Sequence, residues 1–302
     1  MRAAAHLDIP FMEVDLSREY EERVFAPSIA EFKKGNTPNP DTLCNEKIKF
    51  GVFFDFCMAR GADLVATGHY ARTSAQEDRP ALYISADQDK DQSYFLWAVP
   101  ETSLGKTLFP VGGLTKPRVR ALARRFGLPN AARPDSQGLC FLGDISLEDM
   151  LVREAAPQEG DVLDEAGRVV GTHRGAELYT LGQRHGFSLL HGTPNEAPRY
   201  VVAKDSTKNT ITVSAQKFPD GAHKTRVTLT HTNWIGSEAL PGAPLQARYR
   251  YRQKLIPVEL ALDKMSAVLA EPHYVPLGQS LVVYEGDRCL GGGVVGSATL
   301  VS

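Results

Sequence analysis

Two cysteines lie in segments whose residue types could support sulfur chemistry. Cys44 follows the loop Thr37-Pro38-Asn39-Pro40-Asp41-Thr42, whose two prolines restrict the backbone. We expect Asp41 or Thr42 to cap a helix with Cys44 in its first turn, where the helix dipole lowers a thiol pKa. Asp41, three residues earlier, could hold or move a proton. A capped helix start with a small buried thiol is the alternative interpretation.

Cys140 lies in a turn-rich segment, residues 133–143, instead of an apolar stripe. Turn segments carry function more often than core packing does. One reactive cysteine is a nucleophile, and two within reach of each other can run persulfide and disulfide chemistry. Two unrelated cysteines, far apart in the chain, remain the alternative. The other two cysteines, Cys57 and Cys289, sit in apolar patterns and are expected to be core residues.

Composition restricts the class of protein. The chain has 302 residues, of which 42% are hydrophobic and 23% charged, as in ordinary globular proteins. Four cysteines without a C-x-x-C pair predict neither a disulfide scaffold nor a zinc site. The sequence shows no membrane span and no secretory signal, so we predict a reducing, cytoplasmic location. A formal net charge of −2 means that any nucleic-acid contact must come from local basic patches.

Alternating helix and strand patterns in the first half predict an α/β region with a parallel sheet. Gly68 and His69 follow a predicted strand at its carboxyl end, where α/β proteins bind ligands. The alternative is a structural histidine. The predicted elements are a strand at 9–16, a helix at 17–34 capped by Ser17, a helix at 44–60, a buried strand at 63–67, a hairpin at 71–85 and a basic helix at 115–126.

Short strands separated by turn signals follow residue 160, and strand patterns dominate from about residue 222. This pattern of short strands and turns predicts a small all-β module, a barrel, at the C-terminus. The predicted domains are therefore residues 1–144 (α/β), 145–218 (central) and 219–302 (β-barrel).

Two basic stretches could meet phosphates. One is the helix at 115–126, with five Lys and Arg residues. The other is residues 248–254, which a strand period divides into Arg248, Arg250 and Arg252 on one face and tyrosines on the other. Arginine neutralises phosphate and tyrosine stacks on bases. A solvated edge strand is the alternative for the second stretch.

A series of motifs resembles the signature of bacterial and mitochondrial tRNA-specific 2-thiouridylases. The motifs span nearly the whole chain and follow the family order. They are residues 31–50, Ala66-Thr67-Gly68-His69-Tyr70-Ala71-Arg72, Lys90-Asp91-Gln92-Ser93-Tyr94-Phe95-Leu96, residues 135–143, Tyr179-Thr180-Leu181-Gly182-Gln183-Arg184, Arg250-Tyr251-Arg252-Gln253 and Pro276-Leu277-Gly278-Gln279-Ser280.

The resemblance implies a Rossmann-like nucleotide-binding α/β domain, a small central domain and a C-terminal β-barrel. It also implies ATP-dependent 2-thiolation of the wobble uridine of tRNA, with ATP and Mg as cofactor and with no metal cluster. By motif position, Cys140 would carry a persulfide and Cys44 would be its partner nucleophile, leaving a disulfide. Sulfur would come from a cysteine desulfurase or a sulfur-relay protein, and no membrane would be involved.

The resemblance also assigns binding residues. Asp41 would act as acid and base within Asn39-Pro40-Asp41, which would touch the target base. Gly68 would line the ATP site. The residues that would contact tRNA are His69, Lys90, Asp91, Gln92, Arg250, Tyr251 and Gln279.

The family begins with a strand and a loop of the type S-G-G-V-D-S, which cradles ATP phosphates. No such segment occurs in this sequence, and His185 stands where the family usually has lysine. We therefore expect a chain that starts inside the family's first domain, and a catalytically impaired tRNA-binding remnant is the alternative function. An iron–sulfur protein with Cys44 and Cys140 as ligands is a third interpretation, which the lack of C-x-x-C weakens.

Overall fold

The protein consists of an α/β region, a five-stranded sheet and a β-barrel, in that order along the chain. The computed structural model describes residues 1–74, 79–133, 157–190, 197–240 and 242–302. The sequence also predicts a short helix near Ser146, a position outside these residues. Among the described residues no helix is long and apolar enough to cross a membrane.

A helical segment at residues 17–33, α2, confirms the first predicted helix. Asp15 accepts hydrogen bonds from the backbone nitrogen and the hydroxyl of Ser17 at 2.9 and 2.6 Å, so Asp15 holds the helix start and the prediction of Ser17 as N-cap is wrong. Gly35 follows the helix end with a φ of +81°, which glycine adopts without steric cost. The first helices are α1 Arg2–His6 and α2, composed of Ser17–Tyr20, the π-helical turn Glu21–Phe25 and Ala26–Lys33.

The strand predicted at 9–16 is wrong, because these residues have no strand partner. Ile9, Phe11 and Met12 are each more than half exposed. A strand is stable when a neighbour pairs its backbone groups, and local hydrophobic alternation does not supply that neighbour.

The helix that carries Cys44 begins earlier than predicted. This helix, α3, covers residues 40–59 and is composed of Pro40–Leu43, the π-helical Cys44–Val52 and Phe53–Ala59. It bends at Gly51, whose φ and ψ of −105° and −106° are not helical.

The predicted strand at 63–67 is present as β1, which pairs in parallel with β4. It is not fully buried, because Leu64 and Ala66 are exposed. The predicted hairpin is confirmed as β2 and β3. The basic helix is confirmed as α5, which ends before Gly127. The elements are β1 Val65–Ala66, β2 Ala71–Ser74, β3 Ala81–Ile84, α4 Glu101–Leu104, β4 Thr107–Leu108 and α5 Lys116–Arg125, with short 3-10 turns at Gln88–Lys90 and Ser93–Phe95.

A five-stranded sheet in the order β7-β6-β5-β9-β8 forms the middle of the protein. β5 and β9 are parallel, and the other pairs are antiparallel. One face buries a small core around Val162, Tyr179 and Ile211. The strands are β5 Gly160–Leu163, β6 Val169–His173, β7 Phe187–Leu189, β8 Tyr200–Asp205 and β9 Thr210–Ser214.

The predicted C-terminal barrel is confirmed. Six strands follow the order β10-β13-β12-β11-β14-β15, and antiparallel pairing of β10 with β15 closes the ring. Closure leaves the barrel without edge strands. The strands are β10 Lys224–Trp234, β11 Leu245–Arg248, β12 Ile256–Leu260, β13 Ser266–Leu269, β14 Ser280–Glu285 and β15 Arg288–Val301.

The barrel and the α/β region share a sheet and a core. β3 pairs with β15, so the hairpin extends the barrel sheet. Leu281 and Val283 of β14 pack inside the barrel, whereas Val282 and Tyr284 pack outward against residues of the α/β region such as Trp97. Both faces of β14 are therefore buried.

The strand alternation predicted for residues 248–254 is wrong. β11 ends at Arg248, and a turn follows in which Arg252 has a φ of +60°. Arg248 is buried and faces the α/β region, whereas Arg250 and Arg252 are exposed. The three arginines do not form one phosphate-binding face.

Candidate active site

The loop before α3 is anchored by the barrel. The side-chain nitrogen of Gln279 donates to the carbonyl oxygens of Thr37 and Pro38 at 3.1 and 3.3 Å, and the backbone nitrogen of Thr37 donates to the Leu277 carbonyl at 2.7 Å. Gly278, with a φ of +83°, leaves only 3.2 Å between an added Cβ and the Thr37 oxygen. The barrel therefore fixes the start of the helix that carries Cys44.

A second anchor comes from the central sheet. The ammonium group of Lys204, on β8, donates to the carbonyl oxygens of Gly35 and Tyr179 at 2.6 and 3.0 Å. Burial lowers the pKa of Lys204. The loop at residues 35–39 is thus held from two sides by different parts of the chain.

The cap of α3 differs from the predicted one. Asn39 is the N-cap, and its side-chain oxygen accepts a hydrogen bond from the backbone nitrogen of Thr42 at 3.2 Å. Pro40 occupies the first helical position, where a missing N–H costs nothing. Asp41 and Thr42 therefore lie inside the helix, and the prediction that one of them caps it is wrong.

Cys44 lies in the second turn of α3 and not in the first. It is 4% exposed and packs with Tyr20, Val24 and Ile48 between α2 and α3. Asp41 lies three residues earlier and therefore on the same helix face. The carboxyl group and the thiol are consequently neighbours along α3.

Asp41 is held in an environment that disfavours its charge. Burial raises the pKa of this carboxyl group, and the positive charge of Lys49 opposes the shift. A carboxyl group with a raised pKa keeps its proton to higher pH than an exposed carboxyl group does.

A cavity of about 1150 Å³ opens in front of this loop. Its walls come from the loop at 37–41, from Tyr94 and Phe95, from the central sheet and from the barrel. Six predicted site residues line it together: Asn39, Pro40, Asp41, Arg250, Tyr251 and Gln279.

The barrel side of the cavity is aromatic and basic. The ring of Tyr251 lies against Phe95 with centroids 4.8 Å apart. The guanidinium of Arg250 is exposed and lies 5.7 Å from the ring of Tyr249. Aromatic faces with arginine beside them are suited to bases and phosphates of single-stranded RNA.

Several cavity residues were not predicted as site residues. They are Tyr94, in the 3-10 turn Ser93–Phe95, and Lys217, His273 and Tyr274, which lie outside helices and strands. His273 and Tyr249 meet through a 3.1 Å hydrogen bond. The sequence feature that could have pointed to this part of the cavity is the 179–184 motif, because Gln183 and Arg184 also line the cavity.

Asp91 does not fit its predicted role as a direct tRNA contact. It is 2% exposed and forms a buried ion pair with Arg248 of the barrel. Its carboxylate also accepts hydrogen bonds from the backbone nitrogen of Ser85 at 3.0 Å and the hydroxyl of Ser93 at 2.8 Å. The residue therefore joins the 88–95 segment to the barrel.

Both neighbours of Asp91, Lys90 and Gln92, are partly exposed. Gln92 forms two hydrogen bonds with the backbone of Tyr70. The side-chain oxygen of Gln92 accepts from the Tyr70 nitrogen at 2.9 Å, and the backbone nitrogen of Gln92 donates to the Tyr70 oxygen at 2.8 Å. Lys90 lies in the half-exposed turn that precedes the ion pair. Lys90 and Gln92 do not line the cavity.

Gly68 and His69 lie after β1, away from the cavity lining. The Nδ1 atom of His69 is 2.8 Å from the Thr67 hydroxyl, and its Nε2 atom is 3.5 Å from the Lys49 ammonium. An ammonium group can only donate, so Nε2 accepts and Nδ1 carries the proton. Burial, with Lys49 as the smaller cause, lowers the pKa of His69 to about 3. His69 is therefore neutral near pH 7.

The position of Gly68 fits a nucleotide site. Gly68 is exposed, and nothing lies within 4 Å of where a Cβ atom would stand. A ligand could approach this backbone closely at the carboxyl end of a parallel strand.

The other three cysteines are Cys57, Cys140 and Cys289. Cys140 and the segment 135–143 lie outside the described residues. Cys289 is fully buried, and its burial raises the pKa to about 12, which confirms the core prediction. Cys57 is half-buried instead of a full core residue. Among the described residues, no three His, Cys, Asp or Glu side chains are grouped as metal ligands.

Three family models match the chain in sequence order. Residues 1–144 match the tRNA methyl transferase HUP domain, residues 148–215 the tRNA methyl transferase PRC-barrel domain, and residues 224–295 the aminomethyltransferase β-barrel domain. These matches define a Rossmann-like α/β protein with two appended β modules, which confirms the predicted fold class.

Curated relatives narrow this class. The tRNA-specific 2-thiouridylase MnmA of Thiobacillus denitrificans is 42% identical over 96% of this chain and 83% of its own length. Those of Enterococcus faecalis and Chromohalobacter salexigens are 37% and 42% identical, over 98% and 96% of this chain and 81% and 77% of their own lengths. The chain belongs to the tRNA-specific 2-thiouridylase family.

Proposed function

We propose that this protein is a tRNA uridine 2-sulfurtransferase, which replaces the C2 oxygen of the wobble uridine with sulfur. One observation carries the proposal: the segment Asn39-Pro40-Asp41, which starts the helix that bears Cys44, shares a cavity with Arg250 and Tyr251 of the barrel. Membership of the family supports the reaction. The cavity supports the substrate, because its groups suit an unpaired base and its phosphates.

The target base enters the cavity from a single-stranded loop, where no duplex has to be opened. Tyr251, backed by Phe95, offers an aromatic face for a base. Arg250 offers an exposed guanidinium for phosphate. Lys90 and Gln92 extend the tRNA contacts outside the cavity. His69, which is neutral near pH 7, contributes hydrogen bonding and not charge.

Gln279 and Asp91 act by positioning. Gln279 binds the backbone of Thr37 and Pro38, and Asp91 holds the 88–95 segment against the barrel through Arg248. Neither side chain has to touch RNA in order to affect its binding.

The oxygen on C2 of uridine is a poor leaving group. Bound ATP with Mg²⁺ would adenylate this oxygen and so convert it into a good leaving group. Gly68 would line that nucleotide site. Asp41, with its raised pKa, would hold or transfer the proton of the base.

Sulfur transfer then uses the two cysteines. The outer sulfur of a Cys140 persulfide attacks C2, and the activated oxygen leaves with its bonding electrons. The Cys44 thiolate next attacks Sγ of Cys140, the sulfur–sulfur bond breaks toward the base, and a Cys44–Cys140 disulfide remains. This requires the two Cα atoms to approach within about 7 Å. A thiol reductant must supply two electrons before the next turnover.

The sulfur itself must come from a second protein. A cysteine desulfurase or a sulfur-relay protein would load Cys140, and the cytoplasm would keep the resting thiols reduced.

The test is a thiolation assay with unmodified tRNA, ATP, Mg²⁺ and a cysteine desulfurase with cysteine as sulfur source. Nucleoside mass spectrometry then detects 2-thiouridine. Cys140→Ser should abolish thiolation and keep tRNA binding, and Cys44→Ser should stop turnover. Cys57→Ser is the matched control, because this half-buried cysteine has no proposed role.

Two outcomes would change the proposal. Retained 2-thiouridine in Cys140→Ser would overturn the assignment of the persulfide. Tight tRNA binding by the unaltered protein without any thiolation would favour the impaired, tRNA-binding alternative.

A further inference from the structure

Helix α5 is the most basic element among the described residues. Its sequence, Lys116-Pro117-Arg118-Val119-Arg120-Ala121-Leu122-Ala123-Arg124-Arg125, has five cations and no acidic residue. Ten residues at 1.5 Å each make the helix about 15 Å long. No residue of α5 is fully buried, so the helix lies on the surface.

Three of the five cations of α5 have no carboxylate partner among the described residues. Arg118, Arg124 and Arg125 are exposed, and none forms an ion pair with a described carboxylate. Other exposed cations do pair, as Arg168 does with Asp164 at 2.7 Å. A chain with a net charge of −2 thus concentrates unpaired positive charge on one helix.

The arrangement is unfavourable for an isolated helix. Lys116, Arg120 and Arg124 are spaced four residues apart and form one row, in which like charges repel. Lys116 and Arg118 also lie in the first turn, at the positive end of the helix dipole. A bound polyanion would relieve both effects.

Contacts connect α5 to the cavity. Arg250 lines the cavity, and two residues later the Nε atom of Arg252 donates to the carbonyl oxygen of Asp89 at 3.0 Å. In the same turn, the carboxylate of Asp87 accepts a hydrogen bond from the backbone nitrogen of Lys116 at 2.7 Å. The turn at residues 87–90 therefore bridges the barrel loop and the first residue of α5.

The cations on these hydrogen-bonded segments follow one path, which we name the basic track. It starts at the cavity, crosses the 87–90 turn and continues along α5. Its members are Arg250, Arg252, Lys90, Lys116, Arg118, Arg124 and Arg125.

We propose that the basic track binds the phosphate backbone of tRNA outside the anticodon loop, with α5 as its distal part. The inference rests on the proposed function, since it takes the cavity to be the site of the target base. Phosphate contacts position a nucleic acid without reading its sequence, and exposed arginine suits that task. An acidic protein surface is the competing occupant, but continuity with a cavity built for RNA favours tRNA.

The test compares tRNA binding by the unaltered protein and by the triple variant Arg118→Gln, Arg124→Gln, Arg125→Gln at several salt concentrations. Glutamine keeps helix propensity and length, so the fold should persist, which circular dichroism checks. Each lost phosphate contact reduces the slope of log K against log salt by about 0.7–0.9. We expect a slope shallower by about two and a tRNA Kd raised about tenfold or more at low salt.

A kinetic measurement accompanies the binding one. In the thiolation assay the triple variant should raise KM for tRNA and leave kcat unchanged, because α5 holds substrate equally in the ground and transition states. The control triple variant Arg18→Gln, Lys208→Gln, Arg226→Gln removes the same charge from exposed positions on α2, the β8–β9 turn and β10, and should leave the slope unchanged.

A triple variant with the salt slope and KM of the unaltered protein would overturn the inference and assign α5 to a protein partner. An equal loss in the control variant would also overturn it, because net charge and not α5 would then be responsible. If the unaltered protein itself bound no tRNA, the proposed function would fail instead.

Discussion

The barrel and the α/β region differ in where their strands find backbone hydrogen-bond partners. The barrel closes through β10 and β15, and its interior core comes from its own strands. The α/β region has the two-residue pair β1 and β4, and its hairpin pairs with β15 of the barrel. It also exposes Phe11 and Met12. The barrel is therefore the scaffold against which the described α/β region is ordered.

This difference has a consequence for the site. The loop before Cys44, the 88–95 segment and the hairpin all contact the barrel. Perturbing the barrel-facing contacts should therefore affect the α/β region first.

The largest effect is expected from the buried ion pair. Arg248→Met leaves the Asp91 carboxylate buried without its cation, and this should lower the free energy of unfolding by about 3–5 kcal/mol. Chemical denaturation measures it. The exposed ion pair of Arg168 with Asp164 provides the control, since Arg168→Met should change the free energy of unfolding far less than Arg248→Met does. Adding Asp91→Asn to Arg248→Met should restore part of the loss; a double variant as unstable as the sum of both would contradict the pairing.

The second-largest effect is expected from the hydrophobic core that the α/β region shares with the barrel. Leu104 is 1% exposed and belongs to the cluster that includes Val282 and Tyr284 of β14. Leu104→Ala should destabilise by about 3 kcal/mol, within the range for buried leucine. Leu7→Ala, at a half-exposed position in the same region, should change stability by less than about 0.5 kcal/mol. Equal effects of the two changes would refute the shared core.

His69 predicts a pH dependence. Its pKa is about 3 in the folded protein against the ordinary histidine value of 6.5, so between these two pH values the unfolded state binds more protons. Stability should therefore fall as pH is lowered through 6.5, by up to about 1.4 kcal/mol per pH unit. His69→Asn should remove about 1–2 kcal/mol of the loss between pH 7 and 5. An unchanged pH profile in that variant would show that the folded-state pKa is not depressed.

Gln279 should give the smallest change in stability with a visible change in function. Gln279→Leu removes two donors to the 37–38 backbone and should cost about 1 kcal/mol. Because the loop then loses its anchor, amide hydrogen exchange should speed up at residues 39–42 and the kcat of thiolation should fall. The control is Gln216→Leu, whose glutamine bonds an exposed Asp220 side chain. A fall in tRNA affinity alone would favour direct contact over positioning.

Local patterns predicted a helix or hairpin well where all the residues that determine the element lie within one segment. The hairpin at 71–84, the helix ended by Gly35 and the basic helix ended by Gly127 depend on neighbours within a few residues. The strand at 9–16 and the Arg–Tyr alternation at 248–254 failed because a partner or a turn elsewhere decided them.

The site shows the same division. Motif resemblance chose Asn39, Asp41, Arg250, Tyr251 and Gln279, and the cavity brings these five together. Asp91 was chosen by the same means, yet it is buried against Arg248. Periodicity gave no signal for that ion pair, because its two partners are 157 positions apart.

By itself, the amino-acid sequence determined the family, the order of the α/β region and the two β modules, and the residue types available for sulfur and RNA chemistry. These follow from composition, periodicity and motifs, which are local properties. The tertiary structure decided which side chains reach the cavity, which arginine is buried and which helix the 87–90 turn joins to the barrel. Those outcomes depend on desolvation and on pairing between distant segments, and burial determines whether a charge is available for a ligand or is held by a partner.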